Sequence, residues 1–257
     1  MTRYLGLDVG ATSSRAVLGG ADGTVVARRE RRTVGEDGEA IAAGLQDLVR
    51  GVCEDAGVTL ADVVAAGIGS IGPLDRADGA VVAPTNLPVD RIPLVDPVEA
   101  LLDADIYLFN DATAAAIGER FYRDADLPNL VYLTVSTGIG AGAIVDGDPL
   151  LGATGNAAEA GHFVLDPDGP RLCGCGGRGH WEGYASGANL PAYARHLAAT
   201  TGVETDLDLE DLDAETLYES EDSLAVQARE RAADWHAQGV ATRVHAYDPP
   251  LVAVGGT

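Results

Sequence analysis

Two cysteines and two histidines stand close together in the segment EAGHFVLDPDGPRLCGCGGRGHWE: His162, Cys173, Cys175 and His180. Two thiolates and two imidazoles make the ligand count of a structural Zn²⁺ site. The glycines at 174, 176, 177 and 179 allow the chain to wrap a small ion. Four protein ligands leave no position for water, so such an ion would fold the loop rather than catalyse. The plainer alternative is a reduced turn without metal, and His162 stands further from the other three than finger spacing usually allows.

Three further stretches carry groups suited to phosphate or hydroxyl chemistry. In LDVGATSS, Asp8 ends a strand and is followed by Gly10 and Thr12. Glycine lets backbone N–H groups approach phosphate oxygens, and the acid suits a hydrated Mg²⁺. STGIGAG, with Thr137 and Gly138, has the same character; it has no Lys and leads into a strand, so it is neither a Walker loop nor a dinucleotide fingerprint. VAVGGT offers a third turn, at Gly255 and Gly256, that suits the adenosine end of a nucleotide. FND places Asn110 and Asp111 where a strand gives way to a helix. There Asp111 suits a general base for a hydroxyl nucleophile and Asn110 a polyol contact; the ordinary alternative is a helix N-cap.

The elements that must position these groups read as a repeat. The first thirty residues alternate strand and turn three times, ahead of a helix over 39–56 with Ile41, Leu45, Leu48 and Val52 at helical spacing. Cys53 there reads as a small buried hydrophobe. A strand over 63–72 precedes an irregular, Pro-rich stretch from 84 to 97, a helix in VEALLDA, the strand DIYLFND and the helix ATAAAIGERFYR. NLVYLTVSTGIGAGAIVDGDPLL then repeats the opening strand, turn, strand pattern. One copy per half predicts two similar α/β domains with a cleft between them, residues 1–110 and 111–257, the second carrying the cysteine loop. A helix begins in YASGANLPAYARHLAATTG, a solvated acidic stretch spans 204–222, and one long helix precedes the strand PPLVAVGG. A strand running into a glycine turn normally feeds another element, so the second domain reads as truncated there.

Composition narrows the class. Forty acids against 17 bases give a formal charge of −23, and every base is Arg, because the chain contains no Lys. That field repels nucleic acid and anionic membranes, and its spread along the chain reads as adaptation to high salt, where screening removes self-repulsion. No apolar run spans a bilayer, no basic-then-apolar leader opens the chain, and three cysteines argue against a disulfide framework. The expectation is a cytoplasmic homodimer that engages small molecules, with no nucleic-acid or membrane partner.

Taken together, LGLDVGATSSRAVL, NDATAAAIGE, STGIGAGAIVDGDPLLGATGNAAEAGH and CGCGGRGHWEGYASG resemble the ROK (repressor, ORF, kinase) family of sugar kinases, almost end to end and in the family's order. The resemblance implies the actin/hexokinase-like ATPase fold, of ribonuclease H-like type. It implies that Asp8 supports Mg²⁺-ATP, that Gly10 with Thr12 and Thr137 with Gly138 form two phosphate loops, and that Asp111 is the catalytic base. It assigns sugar hydroxyls to Asn86, Asn110, Asp111, Glu159, His162 and Glu182, with His162 shared between Zn²⁺ and sugar. The implied activity is ATP-dependent phosphorylation of a hexose, glucose at its 6-OH. GNAAEAGH is similar to the glucokinase branch rather than the fructokinase branch, and kinases of mannose or N-acetylhexosamines remain open. So do a non-catalytic sugar sensor and an inactive fragment. Two departures stand out: His180 replaces the family's usual third loop cysteine, and the chain stops at the VAVGG turn that family members extend beyond.

Overall fold

The computed structural model describes residues 2–84, 87–123 and 127–256. The chain divides into two compact units, Met1–Ala125 with Pro149–Ala157, and Asp126–Asp148 with Ala158–Thr257.

The first unit is built on strands β1 (Arg3–Val9), β2 (Ser13–Gly19) and β3 (Val25–Arg32), helix α1 (Gly38–Asp55) and strand β4 (Val63–Ser70). A small meander follows, β5 (Leu74–Asp75), β6 (Ala80–Val82) and β7 (Arg91–Pro93), then α2 (Val95–Glu99), β8 (Asp105–Asn110) and α3 (Asp111–Arg123). The main sheet runs β3-β2-β1-β4-β8. β1 pairs antiparallel with β2 and parallel with β4, and β4 pairs parallel with β8. Helix α1 starts where Asp37 accepts from the Ala40 N–H at 2.8 Å, a side-chain N-cap. It lays Ile41, Leu45, Leu48 and Val52 against Leu5, Leu7, Leu18 and Ile68 of the sheet, all buried. Cys53 joins that core, and burial pushes its thiol pKa up.

Two expectations change here. The stretch over 84–97, read as irregular, contains β7, and the helix expected in VEALLDA begins earlier and ends at Glu99. Pro97 falls in its first turn, where a missing N–H forfeits no helical bond. The boundary expected at 110/111 also moves. Helix α3 belongs to the first unit, because Ala112 and Ala116 are buried in its packing against β4 and β8. The segment 149–157 returns to the same unit, where Asn156 bonds both the N–H and the carbonyl of Leu74 at 3.0 Å.

The second unit repeats the opening topology. Strands β9 (Leu130–Val135) and β10 (Ile139–Val145) form an antiparallel hairpin, with the short β11 (Asp148–Pro149) beyond β10. Helices α4 (Glu182–Ala185), α5 (Leu190–Thr201), α6 (Ala214–Glu219) and α7 (Ser223–Tyr247) precede β12 (Val252–Gly255), which pairs parallel with β9. The order β10-β9-β12 matches β2-β1-β4, a hairpin whose first strand takes a parallel neighbour. The acidic stretch at 204–222 includes α6, capped by the Asp213 side chain. Among the described residues no helix is long and apolar enough to cross a membrane.

Candidate active site

In the first unit, parallel pairing decides which residues meet. Asp8 lies level with Gly69, and Ser70 with Asn110, so β1, β4 and β8 end at one edge of the sheet. Ligand sites of open α/β sheets form at such carboxyl ends. Asp8, the turn holding Gly10 and Thr12, and the Asn110–Asp111 pair all gather there. The turn is braced: Gly10 N–H donates to the Ser13 carbonyl at 3.0 Å, and the Thr33 hydroxyl donates to the Gly10 carbonyl at 2.7 Å. Thr33 carries no motif and is found through the structure alone. So is Arg15, opposite Asp8 across the hairpin, whose guanidinium meets the Asp8 carboxylate at 3.1 Å and Glu30 at 3.3 Å.

Asn110 and Asp111 both accept from the Ala112 N–H, at 3.0 and 2.7 Å. The cap is therefore Asn110 rather than Asp111, which is the first residue of the helix, and the two bonds orient both side chains as α3 begins. Burial of the Asp111 carboxyl group raises its pKa, and the nearby Asp8 charge acts in the same direction against the Ala112 N–H. The residue still keeps an open side to solvent. A carboxyl group whose ionisation is disfavoured by a second carboxylate at the same strand edge fits a divalent cation nearby, which relieves that repulsion. A groove of about 810 Å³ opens beside them, lined among others by Arg15, Gly67, Phe109 and Phe121.

In the second unit, β9 pairs level with β12 so that Thr134 faces Gly255. The Ser136–Gly138 turn and the Gly255–Gly256 turn therefore lie at a single edge. Backbone N–H groups of Gly187 and Ala188 donate to the Ser136 and Thr137 carbonyls at 2.8 and 3.1 Å, fixing the loop. Glu182, at the start of α4, accepts from the Ile139 N–H through Oε2 at 2.9 Å. Its other oxygen stands 3.8 Å from the Cys173 Sγ. Gly161 makes room for this arrangement: a Cβ there would lie 2.3 Å from the Ile139 carbonyl oxygen. Glu159 caps the short 3₁₀ turn Ala160–His162 by backbone, its carbonyl accepting from the His162 N–H at 3.3 Å. Asn86 lies outside the described residues.

His162, Cys173, Cys175 and His180 converge. Their ligand atoms all lie within 4.8 Å of one another, with Cys173 Sγ 3.5 Å from His162 Nδ1 and Cys175 Sγ 3.3 Å from His180 Nδ1. Tetrahedral Zn²⁺ with bonds of about 2.0–2.3 Å needs ligand edges of this order, so the donor set fits. Burial pushes the Cys173 thiol up to about 11, with the Cys175 side chain and the Glu182 charge adding to it against the Cys175 N–H. Burial, with the neighbouring His162, lowers the His180 pKa and keeps that imidazole neutral, the form that ligates.

A hairpin with a parallel third strand, made twice, each with a braced turn at its carboxyl edge, is the layout of the actin/hexokinase-like ATPase fold, and the chain's likeness to glucokinases and a ROK hexokinase makes it a sugar kinase of that fold. The chain belongs to the ROK family, which it matches over residues 4–257. It is 40% identical to the glucokinase of Pyrobaculum calidifontis, across 100% of this chain and 80% of that protein. The ROK hexokinase of Thermus thermophilus superposes with a TM-score of 0.83 at 31% identity, covering 100% of this chain and 82% of that one. A ROK family glucokinase from Streptomyces griseus, solved with glucose and AMPPNP, gives a TM-score of 0.76 at 32% identity, covering 99% and 83%.

Proposed function

We propose that the chain is an ATP-dependent hexose kinase that phosphorylates glucose at its 6-OH. The observation that carries this reading is the strand register that delivers Asp8, the Gly10–Thr12 turn and Asp111 to one sheet edge. Asp111, oriented by its bond to the Ala112 N–H, accepts the proton of the sugar hydroxyl. The hydroxyl oxygen bonds to the γ-phosphorus as the bond to the departing ADP oxygen breaks. A raised carboxyl pKa brings the base nearer the operating pH. Phosphoryl transfer relies mainly on positioning and electrostatics, which the Gly10–Thr12 and Thr137–Gly138 turns supply through backbone N–H groups, with Gly255 and Gly256 toward the adenosine. Asn86, Asn110, Glu159, His162 and Glu182 hold the sugar hydroxyls.

Asp8 would hold Mg²⁺, which neutralises phosphate charge when bound. His162, Cys173, Cys175 and His180 would hold Zn²⁺, which ties the loop and leaves Glu159 and Glu182 at its two ends in fixed posture. The acidic, lysine-free surface suits high salt, and a cytoplasmic homodimer completes the reading.

The test is ADP release at molar salt against a panel of hexoses and N-acetylhexosamines. Glucose-dependent turnover that disappears in Asp111→Ala supports the proposal; glucose binding without turnover in the folded protein sinks it.

A further inference from the structure

Helix α7 presents Ala232, His236, Gly239 and Arg243 at helical spacing to the cysteine loop's flank. Gly239 admits the Trp181 ring, three carbons of which would lie 2.5 Å from a Cβ at that position. His236 meets the same ring edge to face at 5.7 Å. One turn further on, the Arg243 guanidinium carbon lies 3.4 Å from the centroid of the Phe163 ring.

Arg243 is 1% exposed. Among the described residues its Nε, Nη1 and Nη2 meet no partner at hydrogen-bonding geometry and no carboxylate pairs with it, Tyr247 being the polar side chain near enough to favour its charge. The Tyr247 side chain favours its charge from the next turn, while burial disfavours it and lowers the pKa. All three nitrogens are sealed from a water-sized sphere, so the pocket has no room for an anion. Burying an unpaired guanidinium is more unfavourable than a cation–π contact is favourable. An apolar side chain of similar volume would make a more stable core. The charge is therefore not there for stability.

What it grips is Phe163, and Phe163 sits between the two ligand histidines. It follows His162 directly, its N–H donates to the Ala160 carbonyl at 3.1 Å, and its carbonyl accepts from the Trp181 N–H at 3.0 Å. The next residue, Val164, bridges to His180. We propose that Arg243 is a positioning residue: by stacking on Phe163 it fixes the backbone that sets the His162 and His180 imidazoles. The proposal rests on the reading in which His162 serves both metal and sugar.

The experiment compares wild type with Arg243→Leu, Arg243→Lys, Phe163→Leu and the double variant of Arg243→Leu with Phe163→Leu. The readouts are thermal unfolding, imidazole ¹⁵N shifts of the metal-free protein, the absorption bands of the Co²⁺-loaded protein, and glucose kinetics. Arg243→Leu is expected to melt higher than wild type. It should also displace the His162 and His180 signals but not those of His196 and His245, alter the cobalt bands, and raise glucose KM about tenfold with kcat within about twofold. Phe163→Leu should give the same shifts and KM, with no further change in the double variant. Arg243→Lys, which keeps charge without the planar stack, should fall between. Wild-type imidazole shifts, cobalt bands and KM in Arg243→Leu overturn the proposal, as does a lowered melting temperature. A wild type with neither cobalt bands nor glucose turnover overturns the kinase reading and the proposal with it.

Discussion

The carboxylate of Glu182 accepts the Ile139 N–H at 2.9 Å while its second oxygen stands 3.8 Å from the Cys173 sulfur. One side chain thus ties the cysteine loop to the strand that leaves the Ser136–Gly138 turn. A hydrogen bond to a charged group contributes about 1.5–3 kcal/mol, a factor of roughly 10–100 in rate or affinity. Glu182→Ala is therefore expected to lower kcat/KM for ATP by about that factor. Glu182→Gln, which keeps one acceptor oxygen, should recover part of it.

With Asp111 as the proposed base, its raised pKa is expected to set the acid side of the pH profile. The base works only when deprotonated. Activity should therefore fall, as pH drops, at a higher pH than an ordinary carboxylate would give, burial being the main cause and the Asp8 charge the second. Asp111→Asn should lower kcat by about 10²–10⁴ with glucose binding, read by calorimetry, largely unchanged. A profile still flat at the usual carboxylate pKa would overturn this.

Metal content offers a third check. Cys173→Ser removes one member of the four-residue group proposed to hold Zn²⁺, so bound zinc per chain is expected to drop well below one. Chains of this size lose about 2–4 °C in Tm per kcal/mol, and loss of the ion should exceed one kcal/mol. Because the Cys173 thiol sits near 11 without metal, uptake releases protons, and chelators should strip the ion more readily as pH falls.

Gly161 gives a fourth. In Gly161→Ala the new methyl would meet the Ile139 carbonyl at 2.3 Å and the Glu182 carboxylate at 3.0 Å. Overpacking of this kind is worth about 1–3 kcal/mol. Denaturant unfolding should show that loss, and kcat/KM should fall with it because the displaced groups are those of the second turn.

Much of this was legible because the informative residues carry local signals. Period-two strands, the Ile41–Leu45–Leu48–Val52 stripe and paired glycine turns each announce an element, and Cys173, Cys175 and His180 announce a ligand loop by proximity in sequence alone. What stayed hidden depends on register and long-range packing. Thr33 braces the first turn from a strand edge with no motif, Arg15 faces Asp8 because two strands happen to pair there, and Arg243 reads as an ordinary exposed cation in a polar helix. The 110/111 boundary missed for the same reason: Ala112 and Ala116 look like any alanines until β4 and β8 bury them.

The Asn156–Leu74 pairing has a consequence for how the protein is made. The amide that closes the β5 backbone is encoded 82 residues after it. At about 5–20 residues per second, the ribosome supplies it some 4–16 s later. Over that interval the nascent first unit has its sheet but lacks this clasp, while the β9–β10 hairpin is already emerging. Synthesis therefore passes through a stage in which the two halves are built concurrently, and a chaperone that shields the β5–β7 meander would act in that window.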